Sequence, residues 1–393
     1  MHEHSQAQDD SERFTQVERF TVQWSHGLFF SSHTFDPANP VLADAIRGAD
    51  DESSQHGMIV VIDEGVTDTN PDLQDRIRRY VEAHRDSLPE LRTIHVTPGG
   101  EISKNDPRMV DEILDLINEH GICRRSTVLV IGGGAVLDSA GYAAATAHRG
   151  VRIVRMPTTV LSQADSGVGV KNGINRYGKK NFTGTFTPPN AVVCDTRLLE
   201  SLSDAEWITG FSEVVKIALL KDADLFERME RDVSKIRERD LTVAIGYIFE
   251  SARRHLEHIT RGGDPFESHE ARPLDYGHWS AHKLEQMTNF ELRHGDAVSM
   301  GIALDSIYAG LMGMESRDSV ERTIALLEKL GLPIFHPCMS QTDVLIEGLQ
   351  EFREHLGGKL TITLVTEPGS SIEVNEIDEK IMMRAIEELS RRT

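Results

Sequence analysis

Residues 127–138 read TVLVIGGGAVLD, an apolar run that ends in three glycines and leads into a helical pattern. A short, continuously apolar run is typical of a strand buried on both faces of a parallel sheet. Glycines directly after such a strand let the backbone approach a phosphate, and the following helix offers free N–H groups at its N-terminus. The stretch therefore predicts a strand, a turn and a helix, with Gly132 to Gly134 as a candidate nucleotide-binding turn. A plain strand-to-helix turn remains the alternative.

Similar apolar runs surround this strand and alternate with amphipathic stretches. Strands are predicted at MIVVID (58–63), RTIHVTP (92–98), VRIVRMP (151–157) and AVVCD (191–195). Because strands that alternate with helices form βαβ units, we expect a mostly parallel sheet. Closer to the N-terminus, FTVQWSHGLFFSSHTF (20–35) predicts a β-hairpin that turns at Ser25 to Gly27.

The pattern changes after about residue 200. Long segments with helical periodicity follow, and LTITLVTEPGSSIEV (360–374) predicts a late hairpin that turns at Pro368 and Gly369. We therefore predict an α/β domain over residues 21–200 and a mainly helical domain over residues 201–393. The polar, acidic residues 1–20 predict a flexible tail.

Composition narrows the class of function. The chain has 393 residues with 63 acidic against 42 basic side chains, which is a formal net charge of −21. Such acidity, with no offsetting basic stretch, argues against nucleic-acid binding. The cysteines Cys123, Cys194 and Cys338 are far apart, which argues against a disulfide framework. Neither a signal-peptide pattern nor an apolar run of about 18 residues is present, so we expect a cytoplasmic protein without a membrane span.

The most unusual stretch is MPTTVLSQADSGVGVKNGINRYGKKNFTGTF, residues 156–186. It combines glycines, polar residues, a single aspartate (Asp165) and the lysines Lys171, Lys179 and Lys180. A long glycine-rich loop inside a compact domain suggests function, and lysines among glycines suit an anion such as phosphate. The stretch predicts a phosphate-binding loop, and an exposed basic hairpin is the alternative.

One carboxylate and two imidazoles stand in helical contexts that suit a metal ion. They are Glu213 in GFSEVVK, His278 in YGHW and His294 in LRHGDAV. Such a set binds a divalent ion and leaves a coordination position open. His282 follows His278 on the same helix face and is an alternative ligand. The chain has 17 histidines, so a chance grouping stays open.

Three further residues are candidates for contacts with a nucleotide ribose. Asp63 ends a predicted strand, as the ribose-binding acidic residue of dinucleotide sites commonly does. Glu101 and Lys104 follow the next strand and would reach the same ribose. Solvated loop charges are the alternative for each of them.

Taken in order, the motifs resemble those of the sugar-phosphate cyclases, the superfamily of 3-dehydroquinate synthase. The resemblance covers roughly residues 55–365 and rests on GGGAVLD, MPTTVLSQADSGVGVKNGIN, GKKNFTGTF, SEVVK, YGHWSAHKLE and RHGDAVSMG. It implies a Rossmann-like α/β domain, a mainly helical metal-binding domain and an active site in the cleft between them. It also implies a homodimer that acts on a small-molecule sugar phosphate.

The resemblance assigns roles to individual residues. NAD would be bound by Asp63, Glu101, Lys104, Gly133, Gly134, Ala135, Asp138, Thr158 and Thr159. Zinc or cobalt would be bound by Glu213, His278 and His294. The substrate pocket would contain Asp165, Lys171, Lys180, Asn181, Lys216 and His282, with Arg149 lent across the dimer interface. The implied reaction is transient oxidation by NAD, phosphate elimination, re-reduction and an intramolecular aldol closure, so the enzyme is a lyase.

Departures from the family pattern concern the substrate carboxylate. Glu257 and Ala271 stand about where 3-dehydroquinate synthase has a lysine and an arginine that bind it, although Arg272 is adjacent. The late Asp-Lys-Lys motif of that enzyme corresponds roughly to Phe352, Arg353 and Glu354. Because Glu257 would repel a carboxylate, the pattern favours sedoheptulose 7-phosphate as the substrate. The alternatives are 3-dehydroquinate synthase itself, a metal-dependent polyol dehydrogenase, and a non-catalytic NAD-binding regulator.

Overall fold

The structure, a computed structural model, describes residues 17–18, 20–48, 56–266, 274–355 and 358–392. Its strands in chain order are β1 (Gly27–Ser31), β2 (Gly57–Asp63), β3 (Glu90–Thr97), β4 (Thr127–Gly132), β5 (Arg152–Pro157), β6 (Lys171–Arg176), β7 (Lys179–Phe186), β8 (Ala191–Asp195), β9 (Ile362–Glu367) and β10 (Ser370–Val374).

Helices connect and follow these strands. They are α1 (Val41–Arg47), α2 (Glu64–Thr69), α3 (Leu73–Ala83), α4 (Ile102–Asn105), α5 (Pro107–Glu119), α6 (Gly134–Thr146), α7 (Asp204–Thr209), α8 (Phe211–Lys221), α9 (Ala223–Arg237), α10 (Leu241–Arg261), α11 (His278–Met287), α12 (His294–Leu311), α13 (Arg317–Leu330), α14 (Thr342–His355) and α15 (Glu379–Ser390). None of these described helices is both long enough and apolar enough to cross a bilayer.

Six parallel strands form the sheet that the apolar runs predicted, in the order β1-β8-β5-β4-β2-β3. Alternate residues of β2 point into two separate cores. Met58, Val60 and Ile62 pack with residues of α1 and α3, whereas Ile59 and Val61 pack with residues of α5 and α6. Helices therefore cover both faces of the sheet, which explains why its central strands are continuously apolar.

The predicted N-terminal hairpin is wrong. Among the described residues of 20–35, a single strand forms, and it pairs in parallel with β8, with Gly27 opposite Ala191. The apolar run Gly27–Ser31 was identified correctly as a strand, but its partner lies far along the chain. Local periodicity carries no information about such a partner. Residues 1–16 and 19 of the predicted tail lie outside the described residues.

The long loop predicted over 156–186 is wrong as secondary structure, because a hairpin forms there, and the alternative of an exposed hairpin is only half right, because the middle of its first strand is buried. Phosphate binding by this stretch stays a prediction. One π-helical turn (Ser162–Ser166) precedes β6 and β7, which pair antiparallel. Tyr177 and Gly178 link the two strands, and both have positive φ, 55° and 71°. Two successive residues with positive φ are typical of the tight turns that match the twist of a hairpin.

The later half of the described chain is mainly helical, as predicted. Helices α8 and α12 are buried along almost their whole length at its centre. The late hairpin is confirmed, because β9 and β10 pair antiparallel around Gly369, whose φ is +83°. The division into an α/β domain over 21–200 and a helical domain over 201–393 stays a prediction.

The strand order predicts a crevice beside the carboxyl ends of β2 and β4. From β2 the chain moves outward to β3 and then returns to β4 on the other side of β2. In parallel α/β sheets, ligands bind where the strand order reverses in this way. The π-helical turn after β5 packs against α8 and α10, so the helical half lies next to this crevice.

Candidate active site

The glycine turn and Asp63 meet at the crevice. Asp63 ends β2, and its carboxylate accepts a hydrogen bond from Gly65 N at 2.9 Å. A Cβ on Gly132 would lie 3.0 Å from the Asp63 Cβ, so a larger residue would displace the carboxylate. Burial raises the pKa of Asp63, against the opposing effect of the backbone N–H groups of Gly65 and Gly133. Glycines therefore surround the Asp63 carboxylate at the end of β2 and leave no room for larger side chains.

The N-terminus of α6 follows directly after β4, beside the end of β2. Gly133 occupies its N-cap and makes no side-chain capping hydrogen bond. Thr159 lies beside Gly133, and Thr158 N donates to Gly132 O at 3.0 Å. The first N–H groups of a 13-residue helix are thus available to an anion. These residues fit the pyrophosphate of a dinucleotide.

Glu101 and Lys104 lie close to the same crevice but contact other predicted residues. A Cβ on Gly99, two residues before Glu101, would meet the Asp63 carboxylate. Lys104 Nζ lies 2.7 Å from Asp138 Oδ2 and also donates to Asn181 Oδ1. The structure therefore joins the predicted nucleotide residues to the predicted substrate residues through Lys104.

The three predicted metal ligands converge. Glu213 is on α8, His278 begins α11, and His294 begins α12. Glu213 Oε1 lies 3.6 Å from His278 Nε2 and 3.5 Å from His294 Nε2. One ligand atom from each residue lies within 4.8 Å of the others. Small side-chain adjustments would bring all three to the bond lengths of about 2 Å that zinc requires.

Hydrogen bonds set the tautomers of both imidazoles. His278 Nδ1 lies 3.0 Å from the Tyr276 carbonyl oxygen, which can only accept, so Nδ1 carries the proton. His294 Nδ1 lies 3.3 Å from Glu285 Oε2, which is a carboxylate oxygen. The Nε2 atoms face Glu213, as in metal sites where an outer partner orients each histidine. The donor set and the tautomers both fit a divalent ion such as zinc.

His282 belongs to a second grouping with Glu285 and His294. Ligand atoms of these three residues also lie within 4.8 Å of one another, and the stacked rings of His282 and His294 are 5.9 Å apart. Glu213 is not a member of this group. Because His294 faces Glu213 with Nε2 and Glu285 with Nδ1, one imidazole joins the two groups.

A buried chain of charges extends from Glu213 toward α10. Lys216 Nζ lies 2.6 Å from Glu213 Oε2 and 3.2 Å from Asp165 Oδ2. His255 Nδ1 lies 2.6 Å from Asp165 Oδ1. Burial would raise the pKa of Asp165, but Lys216 and His255 outweigh burial and hold it below its usual value. Burial would likewise lower the pKa of Lys216, which the two carboxylates keep raised.

Lys180 is held between two carboxylates. It pairs with Glu285 Oε1 and lies 3.3 Å from Glu101 Oε1. Burial opposes its charge, but Glu285 and Glu101 keep its pKa above the usual lysine value. Burial also opposes the charge of Glu285, whose pKa Lys180 and His294 hold below its usual range. The adjacent Asn181 has a positive φ of 53°, and its backbone N–H donates to Asn175 Oδ1.

Glu285, His255 and Asn175 are residues of this cluster that the sequence analysis missed. Glu285 follows His282 by three positions, and this helical spacing was the available signal. His255 lies on α10, far in sequence from Asp165, and no local pattern connects the two residues. Asn175 donates to Glu101 Oε2 at 3.0 Å and so supports the carboxylate beside Lys180.

Other predicted residues lie outside this cluster. Arg149 is exposed beyond the C-terminal end of α6, opposite the glycine turn, so within one chain it does not join the site. Lys171 is the exposed first residue of β6. A cavity of about 260 Å³ also lies apart from the cluster, lined in part by Arg76, Asp195 and Arg197.

Some of the positions that depart from the family's carboxylate-binding pattern lie in the described part of the chain. Glu257 Oε1 lies 2.7 Å from Arg253 and 3.5 Å from Arg261, so its charge is offset within α10. Ala271 and Arg272 lie outside the described residues. Of the motif Phe352, Arg353 and Glu354 on α14, Glu354 lies 3.8 Å from Lys179.

Comparisons with known proteins extend over both halves of the chain. Residues 94–209 match the family model 3-dehydroquinate synthase N-terminal, and residues 210–352 match 3-dehydroquinate synthase C-terminal. A 2-epi-5-epi-valiolone synthase from Streptomyces glaucescens is 30% identical over 91% of this chain and 89% of its own length. A 3-dehydroquinate synthase from Halorhodospira halophila is 36% identical over 68% of this chain and 75% of its own length.

Solved structures are similar over nearly the whole chain. A 2-epi-5-epi-valiolone synthase from Streptomyces hygroscopicus subsp. jinggangensis, with NAD+ and Zn2+ bound, has a TM-score of 0.85 at 26% identity. The similarity covers 97% of this chain and 100% of that one. A 2-deoxy-scyllo-inosose synthase with carbaglucose-6-phosphate, NAD+ and Co2+ has a TM-score of 0.74 over 92% of this chain and 96% of its own, and at 22% identity it supports the fold alone.

Proposed function

The chain belongs to the 3-dehydroquinate synthase family of sugar-phosphate cyclases, which are phosphate-eliminating enzymes, and from that premise we propose its cofactors and substrate. It binds NAD at the glycine turn and a divalent metal, zinc or cobalt, at Glu213, His278 and His294. Its substrate is a heptulose 7-phosphate without a carboxylate, sedoheptulose 7-phosphate. The product is a cyclitol.

The convergence of Glu213, His278 and His294 beside buried Lys216 and Lys180 carries this proposal. Closely paired buried charges add little net stability, because desolvation offsets most of their attraction, so this cluster supports a functional role. Adjacent to them lie the glycine turn and Asp63, so hydride transfer and phosphate elimination would take place in one cleft. The similar valiolone synthase structure holds NAD+ and Zn2+, which agrees with this assignment.

A bound metal would supply a Lewis acid, and bound NAD would supply a reversible hydride acceptor. Because the hydride returns to the substrate, the reaction ends without net redox change. The residues of the chain bind, orient and exchange protons. Lys180 keeps its charge at neutral pH and would exchange Glu285 and Glu101 for the substrate phosphate. Lys104 and Asn181 hold the β7 backbone beside the nucleotide residues, which orients substrate against cofactor.

His282 and Lys216 would form the proton-handling part of the pocket. Burial lowers the pKa of His282 well below its usual value, so the ring is neutral at pH 7 and can accept a proton on nitrogen. Lys216 remains an ammonium between Asp165 and Glu213 and can stabilise negative charge that develops on a substrate oxygen. These roles, like those of Lys171 and of Arg149 from a partner subunit, are part of the proposal.

Glu257 supports a substrate without a carboxylate. It stands about where the synthase has a lysine, and its ion pairs with Arg253 and Arg261 occupy the nearest cations of α10. An acidic substrate would meet a carboxylate there instead of an ammonium. The lysine and the arginine of the synthase are replaced at about Glu257 and Ala271. Losing these two charge-assisted contacts, at about 1.5–3 kcal/mol each, would lower catalytic efficiency on an acidic substrate by several powers of ten.

Phosphate release from two substrates with the same enzyme and metal tests the proposal. We expect faster release from sedoheptulose 7-phosphate than from 3-deoxy-arabino-heptulosonate 7-phosphate. Faster turnover of the heptulosonate would make the chain a 3-dehydroquinate synthase in which Arg272 or Arg353 binds the carboxylate. Accumulation of one NADH per turnover on a polyol would instead indicate a dehydrogenase.

A further inference from the structure

Asp305 is a fully buried carboxylate on α12 that contacts both neighbours of His278. Its Oδ2 accepts a hydrogen bond from Gly277 N at 3.0 Å. Its Oδ1 accepts a hydrogen bond from Trp279 Nε1 at 2.9 Å. Asp305 and Trp279 are 0% and 1% exposed, so neither group can exchange its partner for water. The residues before and after one proposed metal ligand are thus bonded to the two oxygens of a single side chain.

Two converging N–H donors require this type of side chain. An aspartate offers two acceptor oxygens, whereas an asparagine offers one acceptor and one donor group. A leucine or alanine would leave both donors buried without a partner, which is destabilising for each of them. Burial raises the pKa of Asp305 to about 7, so the fold keeps this carboxylate against a desolvation penalty. A well-packed apolar residue would avoid that penalty.

The backbone around His278 leaves little freedom for another arrangement. Gly277 has a φ of +75°, and a Cβ there would lie 2.7 Å from Ile302 N. A Cβ on Gly301 would in turn meet the Gly277 carbonyl oxygen. The chain at Gly277 therefore lies directly on α12, and Asp305 bonds it there. Because α12 also begins with His294, a single helix determines where two of the proposed ligands stand.

We propose that Asp305 is a positioning residue of the metal site, which holds the His278 backbone through Gly277 and Trp279 so that the imidazole reaches the ion. This inference rests on the proposed function, because it assumes that His278 and His294 bind a metal. It makes Asp305 a contributor to metal affinity, although Asp305 is not one of the proposed ligands. It also gives a reason for tryptophan and aspartate at these two positions.

Cobalt binding to chelator-treated full-length protein tests the proposal. Partners outside the ligand set typically contribute about 10–100-fold to metal affinity, and we expect Asp305→Asn to lower Co2+ affinity by at least about tenfold. Its visible Co2+ absorption bands should also shift, since the His278 ring is displaced. Trp279→Phe removes one donor and should lower the affinity less, because Gly277 keeps its bond to Asp305.

The double variant distinguishes positioning from simple stabilisation. In Asp305→Asn with Trp279→Phe, the amide oxygen can accept from Gly277, and the amide nitrogen faces a ring without an N–H group. We therefore expect Co2+ affinity and absorption bands to recover toward the wild type. Glu315→Gln is the control for the loss of a buried carboxylate charge in the same half, because Glu315 bonds Ser319 and Ser306 and not Gly277 or Trp279.

Two outcomes would overturn the inference in different ways. If Asp305→Asn and Trp279→Phe both bind Co2+ with the affinity and spectrum of the wild type, Asp305 is only a structural contact. If the wild type itself binds no Co2+, the metal site of the proposed function fails, and the positioning role fails with it. Should Asp305→Asn not fold, Trp279→Phe alone decides through the same two readouts.

Discussion

Lys180 is proposed to bind the substrate phosphate, and it also balances the charges of Glu101 and Glu285. Lys180→Met should lower kcat/KM by about 10- to 100-fold, because the phosphate loses a charge-assisted contact of about 1.5–3 kcal/mol in a buried pocket. Glu101 and Glu285 would also lose their cation, so the free energy of unfolding should fall by about 3 kcal/mol or more. Steady-state kinetics and denaturant titration measure the two effects.

The neighbouring Lys179 provides a matched control. Its side chain is 62% exposed and lies 3.8 Å from Glu354, a contact typical of weak surface pairs. Lys179→Met should leave both kcat/KM and stability nearly unchanged. Equal loss of activity in the two variants would mean that the hairpin attracts phosphate through its total charge and that Lys180 has no specific role.

His278 and His282 are expected to differ in what their loss removes. His278→Ala should lower Co2+ affinity by about 100-fold or more, because it removes one of three protein ligands. His282→Ala should keep Co2+ affinity within about threefold and lower turnover by about 10²–10⁴-fold, the usual contribution of a proton-transferring group. Metal titration and turnover on the two variants measure this. The reverse pattern would assign the ion to His282, Glu285 and His294.

The sequence could predict residue types but not all of their contacts. Glu213, His278 and His294 stood in recognisable motifs, and the structure brings them together. Glu285 and His255 were missed because a carboxylate or an imidazole on a helix is common and their partners lie far along the chain. The contacts of Lys104 with Asp138 and Asn181 were not predicted, and its contact with a ribose stays a prediction.

At the scale of single elements, the turn after β4 leaves little space for a side chain. Gly132→Ala would place a Cβ 3.0 Å from both Asp63 Cβ and Val136 Cβ, which overpacks a buried corner. We expect a loss of stability of about 1–3 kcal/mol and weaker NAD binding, since Asp63 must move. Thermal denaturation and fluorescence titration with NAD measure the two effects.

Alanine substitutions at two other glycines serve as controls for Gly132→Ala. A Cβ on Gly134 would meet mainly the Ser166 hydroxyl, which can rotate away, so Gly134→Ala should cost less than Gly132→Ala. Gly246 lies inside α10 with nothing within 4 Å of its Cβ position, so Gly246→Ala should stabilise the protein by about 0.5–1 kcal/mol. A destabilising Gly246→Ala would contradict the described packing of α10.

Elements were predictable where the signal was local. The five strands predicted from apolar runs, the glycine turn and the late hairpin around Gly369 all agree with the structure. The hairpin predicted at residues 20–35 failed because the partner of β1 is β8. The loop predicted at residues 156–186 failed because glycines and lysines were taken as loop signals, although Tyr177 and Gly178 form a tight hairpin turn.

For the whole molecule, Glu315 links stability to pH. Burial raises its pKa from the usual 4.5 to about 7, so the folded protein binds this proton more tightly than the unfolded chain. Its contribution to stability is therefore full below about pH 4.5 and is lost as the pH rises through 7. At about 1.36 kcal/mol per pKa unit, the loss amounts to about 3 kcal/mol.

Glu315→Gln should remove this dependence. Relative to the wild type, the variant should gain about 3 kcal/mol of unfolding free energy between pH 4 and pH 8. Denaturant titrations of both proteins at several pH values measure the difference, in which the other carboxylates cancel. A constant difference across this range would show that Glu315 titrates normally in the folded protein.

The pairing of β1 with β8 has a consequence for how the sheet assembles. Strands β2, β3 and β4 follow one another and can join through the short helical connections between them. The first strand, by contrast, has no neighbour until Ala191–Asp195 has been synthesised, because Gly27 pairs with Ala191. Contacts between segments so distant in sequence form slowly, since a long loop must close first. The strand made first is therefore expected to join the sheet last, both on the ribosome and in refolding.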